Sequence, residues 1–275
     1  MPNSNTNLSQ ISAKARRLIV DMVYHAKSGH PGGSLGIADI MTYLYFEELQ
    51  NLDVNNPKSP MRDRFVLSKG HCAPALYAAL ALKGFFPIED LPRLRKIDSH
   101  LQGHPCIEHT PGVDASTGSL GQGISIAAGM AKAAKVQGSD YRVYSVLGDG
   151  ECQEGQVWEA FMFAAHYKLD NLCAVIDING LQIDGEVANV MGVEPIASKL
   201  AAFNWNVIQI DGHNYDEIKN AFNTARACIG KPSVIIAKTI KGKGVKMFEN
   251  KAEWHGKAPN DEQYSEIIKS LGGEA

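Results

Sequence analysis

Runs of β-branched and aromatic residues alternate along this chain with stretches whose apolar positions recur at helical spacing. The clearest runs cover residues 141–147 and 172–178, and both end at turns that contain glycine. Each run has the pattern of a buried parallel strand. Between the two runs, apolar residues recur every three or four positions, at Trp158, Phe161, Met162 and Ala165. The pattern therefore predicts a strand, a crossover helix and a second, parallel strand.

The same two patterns continue on both sides of this unit. Helical spacing predicts helices over residues 8–27, 35–49, 73–82, 124–136 and 216–228, and short apolar runs predict strands over residues 64–67, 207–210 and 233–239. Proline and glycine interrupt residues 85–113, which predicts a long irregular loop at an active site. Strands that alternate with helices favour an α/β fold, a mainly parallel sheet with helices on both faces. No linker is evident, so we predict a single domain over residues 1–275.

The composition of the chain argues against several classes of protein. The 275 residues are 44% hydrophobic and carry a formal net charge of −3, which offers no basic field for nucleic acid. Five cysteines, an odd number without CxxC spacing, argue against a disulfide framework or a zinc site. The first ten residues are polar, and no apolar run approaches the roughly 20 residues that a membrane span needs. We therefore predict a cytoplasmic protein without nucleic-acid or membrane partners.

Two candidate oxygen ligands follow the two strands of the central unit. Asp149 lies in a Gly-Asp-Gly turn after the first strand, and Asn179 follows the second. Each motif alone is typical of an ordinary turn. The number of residues between Asp149 and Asn179, however, is about the number that one crossover helix and one strand require. Both side chains should then face one crevice at the carboxyl ends of the strands. Magnesium binds such oxygens together with phosphate oxygens, so the spacing predicts a magnesium diphosphate site.

Four histidines occur in loop contexts next to glycine, namely His30, His71, His104 and His255. One such histidine is usually a solvated turn residue, but four together indicate a polar, phosphorylated or polyhydroxylated ligand. A glycine-rich loop at residues 117–123 precedes a helix and allows a flat ligand to approach the backbone. This loop lacks the preceding strand and the later acidic residue of a dinucleotide fingerprint, so nicotinamide binding is not favoured.

With these loops in order, the chain resembles the N-terminal, diphosphate-binding portion of transketolase from about Leu8 to Leu271. The matching segments are SGHPGG at 28–33, RFVLSKGH at 64–71, GHP at 103–105, TGSLGQG at 117–123, LGDGECQEG at 147–155, LDNLCAVIDING at 169–180, and KGKGV and WHGKAP within 241–259. Several separate motifs in family order make the resemblance specific. It implies a thiamine diphosphate-binding fold with thiamine diphosphate and Mg2+ as cofactors.

The resemblance also implies roles for individual residues. Magnesium would be bound by Asp149, Asn179 and the backbone carbonyl of Leu181. The diphosphate would be contacted by His71, His255, the Gly150 backbone and Lys241. The rings of the cofactor would be contacted by Gly118, Leu120 and Ile183. Substrate hydroxyls and protons would be handled by His30, His104 and His255. Glu154 resembles a carboxylate at the interface between active sites, although a solvated glutamate at a helix start explains it equally well.

Full-length transketolases continue into a pyrimidine-binding domain that supplies an essential glutamate, and into a further C-terminal domain, whereas this sequence ends at Ala275. The resemblance therefore implies the N-terminal subunit of a split transketolase, active only with a C-terminal partner subunit, in a heterotetramer. The reaction would transfer a two-carbon ketol unit from a ketose to an aldose, with a phosphorylated or a sulfonated sugar equally permitted. Alternatives are another thiamine diphosphate enzyme, such as deoxyxylulose-phosphate synthase or the alpha subunit of a 2-oxo acid dehydrogenase, and a non-catalytic diphosphate-binding scaffold.

Overall fold

A parallel β-sheet forms the centre of the computed structural model, which describes residues 4–272. In chain order the strands are β1 (Arg64–Leu67), β2 (Val143–Gly148), β3 (Leu172–Ile178), β4 (Leu181–Gln182), β5 (Gly185–Glu186), β6 (Asn206–Asp211) and β7 (Ser233–Lys238). The order across the main sheet is β1, β2, β3, β7, β6, and every neighbouring pair is parallel. Strands β4 and β5 form a separate antiparallel hairpin. The predicted mainly parallel sheet is confirmed.

Helices cover both faces of this sheet. They are α1 (Ser4–Ala26), α2 (Pro31–Gly36), α3 (Ala38–Tyr43), α4 (Ala73–Lys83), α5 (Gln122–Gln137), α6 (Gly155–His166), α7 (Val187–Met191), α8 (Ile196–Ala202), α9 (Tyr215–Ala227) and α10 (Asp261–Ser270). Side chains of β2 alternate between the faces, as the two-residue period of a strand requires. Tyr144 and Val146 pack with α1, α3, α4 and α9, whereas Val143 and Leu147 pack with α5, α6 and α8. The prediction of helices on both faces is thereby confirmed.

One local prediction was wrong. The glycine-rich segment after His30 was predicted as a loop before a helix over residues 35–49, but the chain is helical from Pro31 and is divided into α2, α3 and a π-helical turn at Leu44–Glu48. Proline is favoured at the first helical position, and burial of the whole of α2 offsets the low helix propensity of its glycines. In α6, Met162 faces solvent, and the buried side is formed by Val157, Ala160, Phe161 and Ala164.

The sheet places the ends of β2 and β3 side by side. Gly148, the last residue of β2, is paired with Asp177 in β3. Asp149 and Asn179 therefore leave the sheet at the same edge, as their spacing predicted. None of the helices within residues 4–272 is long and apolar enough to cross a membrane.

The start of α5 packs so closely on the loop after β1 that only glycine fits. A Cβ atom at Gly123 would overlap the Cα atom of Ser68, whereas a Cβ atom at Gly129, in the same helix, meets open space. We expect Gly123→Ala to lower the free energy of unfolding by about 1–3 kcal/mol through overpacking. We expect Gly129→Ala to raise it by about 0.5–1 kcal/mol, because alanine is the better helix former. Urea unfolding of both variants checks this, and equal effects would contradict the close contact.

Candidate active site

Asp149 forms the centre of the edge where β2 and β3 end. Its side chain is only 4% exposed. Its Oδ1 atom accepts a hydrogen bond from the Gly150 N–H at 2.8 Å, and its Oδ2 atom accepts one from the Gly180 N–H at 2.6 Å. Burial, together with the nearby carboxylate of Asp177, raises the pKa of Asp149 to about 6. The ionised carboxylate would therefore gain from a cation placed beside it.

Asn179 and Leu181 lie next to this carboxylate on the turn that follows β3. The Nδ2 group of Asn179 donates to Asp177 Oδ2 at 2.7 Å, and Asn179 Oδ1 accepts from the Leu181 N–H at 3.1 Å. The Leu181 carbonyl accepts from Nζ of Lys241 at 3.1 Å, so this oxygen already faces a positive charge. Among residues 4–272, no group of three His, Cys, Asp or Glu side chains could hold a metal. One carboxylate, one amide oxygen and one carbonyl instead suit magnesium completed by phosphate oxygens.

A buried ion pair that the sequence patterns did not predict lies beneath this edge. Lys69 Nζ and Asp177 Oδ2 are 2.5 Å apart, with both side chains almost fully buried, and Thr239 Oγ1 donates to Asp177 Oδ1. Burial alone would raise the pKa of Asp177, but Lys69 and the hydrogen bonds outweigh it and lower that pKa. The carboxylate that orients the Asn179 amide is thus ionised. The sequence feature that could have pointed to this ion pair is Asp177, an aspartate inside an otherwise apolar strand.

Lys241 presents a second buried cation to the crevice. The residue is 2% exposed, and its Nζ donates to His255 Nδ1 at 3.1 Å as well as to the Leu181 carbonyl. Burial, and after it the ammonium of Lys69, lower the pKa of Lys241. Within the described part of the chain, no carboxylate lies within ion-pair distance of this ammonium. A buried cation without an acidic partner is costly, so this position is suited to an anionic ligand such as a diphosphate.

Three of the four loop histidines meet in one cluster. The ring centres of His30 and His71 are 5.1 Å apart, those of His30 and His255 are 5.4 Å apart, and those of His71 and His255 are 5.1 Å apart. Burial, followed by the surrounding positive charges, lowers the pKa of His30 to about 4 and that of His255 to about 3. His71 has a pKa far below its ordinary value for the same reason. At neutral pH the cluster consists of uncharged imidazoles.

Neutral imidazoles can accept as well as donate hydrogen bonds, and two details indicate how they are used. An ammonium only donates, so Nδ1 of His255 accepts from Lys241 and its Nε2 carries the proton. Nδ1 of His30 is buried without a hydrogen-bond partner among the described residues, as is Oγ1 of Thr117. Buried polar atoms are normally satisfied, so these two atoms are exceptions that mark the crevice as unusual.

His104, the fourth loop histidine, lies beside the glycine loop rather than in the cluster. Gly118 has φ 145°, and a Cβ atom there would lie 2.9 Å from Cγ of His104, so the ring can lie against the loop only because residue 118 is glycine. Partial burial and the guanidinium of Arg95 lower the pKa of His104. The same glycine loop is anchored by Glu151, whose Oε1 atom accepts from the Gly121 N–H at 2.9 Å.

The remaining candidates occupy the rim of the crevice. Leu120 and Ile183 are 37% and 63% exposed, so they present apolar surface at the entrance. At Gly150 a Cβ atom would come within 3.2 Å of the Gln182 side chain, so glycine leaves this backbone open. Glu154, which the sequence offered as an interface carboxylate, is exposed at the start of α6. The buried glutamate of this motif is Glu151, which the sequence patterns did not single out.

The whole chain is similar to proteins of one known family. Residues 8–275 match the family described as transketolase, thiamine diphosphate binding domain. The chain is 44% identical over 271 residues to a 6-deoxy-6-sulfo-D-fructose transketolase subunit of Clostridium sp. strain MSTE9, covering 98% of both chains. It is also 44% identical over 260 residues to an apulose-4-phosphate transketolase subunit of Phocaeicola vulgatus, covering 94% of this chain and 92% of that protein.

Among solved structures, transketolase from Campylobacter jejuni superposes with a TM-score of 0.89 at 37% sequence identity. The match covers 97% of this chain and 43% of that one. The chain therefore spans less than half the length of this solved transketolase, whereas it matches the two subunits over nearly their whole length.

Proposed function

Because the chain belongs to the transketolase thiamine diphosphate-binding family, we propose that it is the magnesium- and diphosphate-binding subunit of a two-subunit transketolase. The observation that carries the proposal is the edge of β2 and β3, where the Asp149 carboxylate, the Asn179 amide and the Leu181 carbonyl lie beside the unpaired ammonium of Lys241. Relatives of nearly equal length are named as transketolase subunits, which supports a separate partner chain.

Different residues of the crevice would bind the metal, the diphosphate and the rest of the cofactor. Asp149, Asn179 and the Leu181 carbonyl would hold magnesium, and Lys241 with His71 would bind the diphosphate. The open backbone at Gly150 and Gly118, with the rim residues Leu120 and Ile183, would receive the rest of the cofactor. Thiamine diphosphate, when bound, supplies the carbon–carbon bond chemistry of ketol transfer.

The histidines would act on the sugar. His30, His104 and His255 are uncharged at neutral pH, so each can accept a proton or donate a hydrogen bond to a sugar hydroxyl. A cofactor-binding role alone would not require three such groups in loops that converge on one crevice. Held in place by the loops, they would orient the donor ketose and exchange protons with its hydroxyl groups.

The names of the relatives guide the choice of substrate. One carries a sulfonated sugar in its name and another a phosphorylated sugar. We propose a donor ketose with an anionic end group, and either phosphate or sulfonate meets this description. Competition between one phosphorylated and one sulfonated ketose in the same assay identifies the preferred class.

We also propose that two copies of this chain assemble with two copies of a C-terminal subunit. Closed assemblies with two-fold symmetry are the commonest oligomers, and the cofactor would lie where the two kinds of chain meet. Size measurement by light scattering on the co-purified complex tests this arrangement. The cytoplasmic location stays a prediction from composition.

The decisive experiment co-expresses this chain with the product of a neighbouring gene that encodes the C-terminal half of a transketolase. Glycolaldehyde transfer from a ketose to an aldose is then measured with magnesium and thiamine diphosphate. The scaffold hypothesis predicts cofactor binding without transfer, and a different thiamine diphosphate enzyme would use a 2-oxo acid instead. Failure of transfer with every ketose tested, in a complex that binds the cofactor, would reject the proposal.

His104 gives a separate test of substrate binding. We expect His104→Ala to lower kcat/KM for the donor ketose by roughly 10- to 100-fold, because a group that orients the substrate is lost. Cofactor affinity should not change, since His104 lies outside the cluster of His30, His71 and His255. His109→Ala is the matched control, since His109 is an exposed residue of the same loop. A weaker cofactor affinity in His104→Ala would show that the role is wrong.

A further inference from the structure

Arg95 lies between the loops that carry His30 and His104, and the roles proposed for the crevice residues do not include it. Its Nη1 group donates to Ser28 Oγ at 3.1 Å, and its Nη2 group approaches the Gly103 carbonyl at 3.5 Å. Ser28 precedes His30 by two residues, and Gly103 immediately precedes His104. The guanidinium of Arg95 therefore contacts a side chain close to His30 and the backbone carbonyl next to His104.

The backbone of Arg95 is held in a conformation that arginine disfavours. Its φ is 60°, in the left-handed region, while its N–H donates to the Leu101 carbonyl at 2.9 Å. A Cβ atom at Gly103 would lie 3.1 Å from Cζ of Arg95, so the guanidinium lies directly against a glycine. Disfavoured conformations of this kind persist where the surroundings fix them and occur often at functional sites. Arg95 is an exposed residue, and its guanidinium contacts both loops.

The charge of Arg95 acts on both imidazoles. After burial, it is the largest cause of the lowered pKa of His30 and of His104. The other groups that face His30 are His104, Lys241 and the two clustered rings of His71 and His255. All of them are cationic or neutral, so no negative charge among these neighbours offsets the guanidinium.

We propose that Arg95 is a positioning residue of the substrate site, which ties the loop before His30 to the loop before His104 and keeps a fixed positive charge beside both imidazoles. The inference rests on the proposed function for its catalytic meaning. The structural part of the inference does not depend on the proposed function. It states that Arg95 links the two loops and that its charge lies beside both imidazole rings.

The first test follows the histidine rings directly by NMR titration of the full chain. Signals are assigned with His30→Gln and His104→Gln. We expect Arg95→Met, which keeps the length but removes charge and donors, to move both titration midpoints to higher pH. Arg95→Lys should restore most of the original midpoints. Arg93→Met is the matched control, because Arg93 is an exposed arginine two residues away whose guanidinium approaches the Asp98 carbonyl at 3.5 Å rather than either histidine loop.

Unchanged midpoints for both rings in Arg95→Met, or an equal shift in Arg93→Met, would overturn the proposal. Thermal unfolding of each variant shows whether the fold is kept. If Arg95→Met does not fold, Arg95→Gln is compared with Arg95→Lys, because both keep a hydrogen-bond donor and only the lysine keeps the charge. The midpoints in Arg95→Gln should then be higher than in Arg95→Lys, and equal midpoints would count against the proposal.

The second test uses the complex with the partner subunit. We expect Arg95→Met to lower kcat/KM for the donor ketose by about 10- to 100-fold, the size of effect expected from misplaced catalytic groups. The loss should be larger at pH 6 than at pH 8, because the histidines then protonate more readily, and Arg95→Lys should recover the pH profile. A loss that is equal at both pH values would contradict the role of the charge. If the wild-type complex transfers no ketol unit at all, the proposed function fails, whereas the NMR titration still decides the role of Arg95.

Discussion

Asp149→Ala and Asn179→Ala should each abolish magnesium-dependent binding of thiamine diphosphate. Each substitution removes one of the three protein oxygens available to the metal at the edge of β2 and β3. Loss of an outer partner of a metal ligand already lowers affinity about 10- to 100-fold, so loss of a ligand should exceed about 100-fold. Calorimetric titration of the complex with thiamine diphosphate, with and without Mg2+, measures this directly.

The fold should survive both substitutions. Burial and Asp177 disfavour the ionised form of Asp149, so its removal relieves an unfavourable charge while two backbone N–H groups lose an acceptor. Asp184→Ala is the matched control, because Asp184 is an exposed aspartate on the hairpin that follows Asn179. Unchanged cofactor affinity in both Asp149→Ala and Asn179→Ala would reject the metal assignment.

The parts of the fold that were predictable from sequence are those set by local patterns. Strands β1 and β3 have the predicted bounds, because continuous β-branched and apolar runs become strands when helices cover both faces of a sheet. The helical segment at Pro31–Gly36 was not predictable, because its glycines have low helix propensity and its stability comes from burial. The helical spacing that includes Met162 predicted α6 but not its buried side, since a methionine fits the apolar pattern whether it is buried or exposed.

Local sequence patterns also predicted only part of the candidate site. Asp149 and Asn179 could be placed together because parallel strands end at one edge, and this needs only the spacing along the chain. The pairs formed by Lys69 with Asp177 and by Glu151 with Ser68 join residues that are 108 and 83 positions apart. No local pattern specifies such pairs. Glu151 was not singled out for this reason, because only the tertiary structure shows that it is buried, and the interface role of Glu154 stays a prediction.

Exposed apolar side chains on α5 and α6 offer a surface for the proposed partner subunit. Helices α5 and α6 pack against each other and carry exposed apolar side chains, including Ile126 at 37%, Met162 at 51% and Phe163 at 39%. Leu120 and Ile183 extend apolar surface to the rim of the crevice. A cofactor whose diphosphate lies on this chain would leave its rings at an open entrance, where a second protein surface is needed to exclude water.

Alone, the chain should show no transketolase activity, and activity should appear when the partner subunit is added. The physical reason is that, under the proposal, the residues of the crevice would bind the diphosphate, the metal and the substrate hydroxyls, while a partner chain would form the opposite wall of the crevice. The test assays the purified chain with a ketose donor, an aldose acceptor, Mg2+ and thiamine diphosphate, before and after the partner is added. A partner complex that contains Asp149→Ala is the control for activity that does not depend on this site. Robust turnover by the chain alone would show that the site is complete without a partner, and the two-subunit proposal would have to be abandoned.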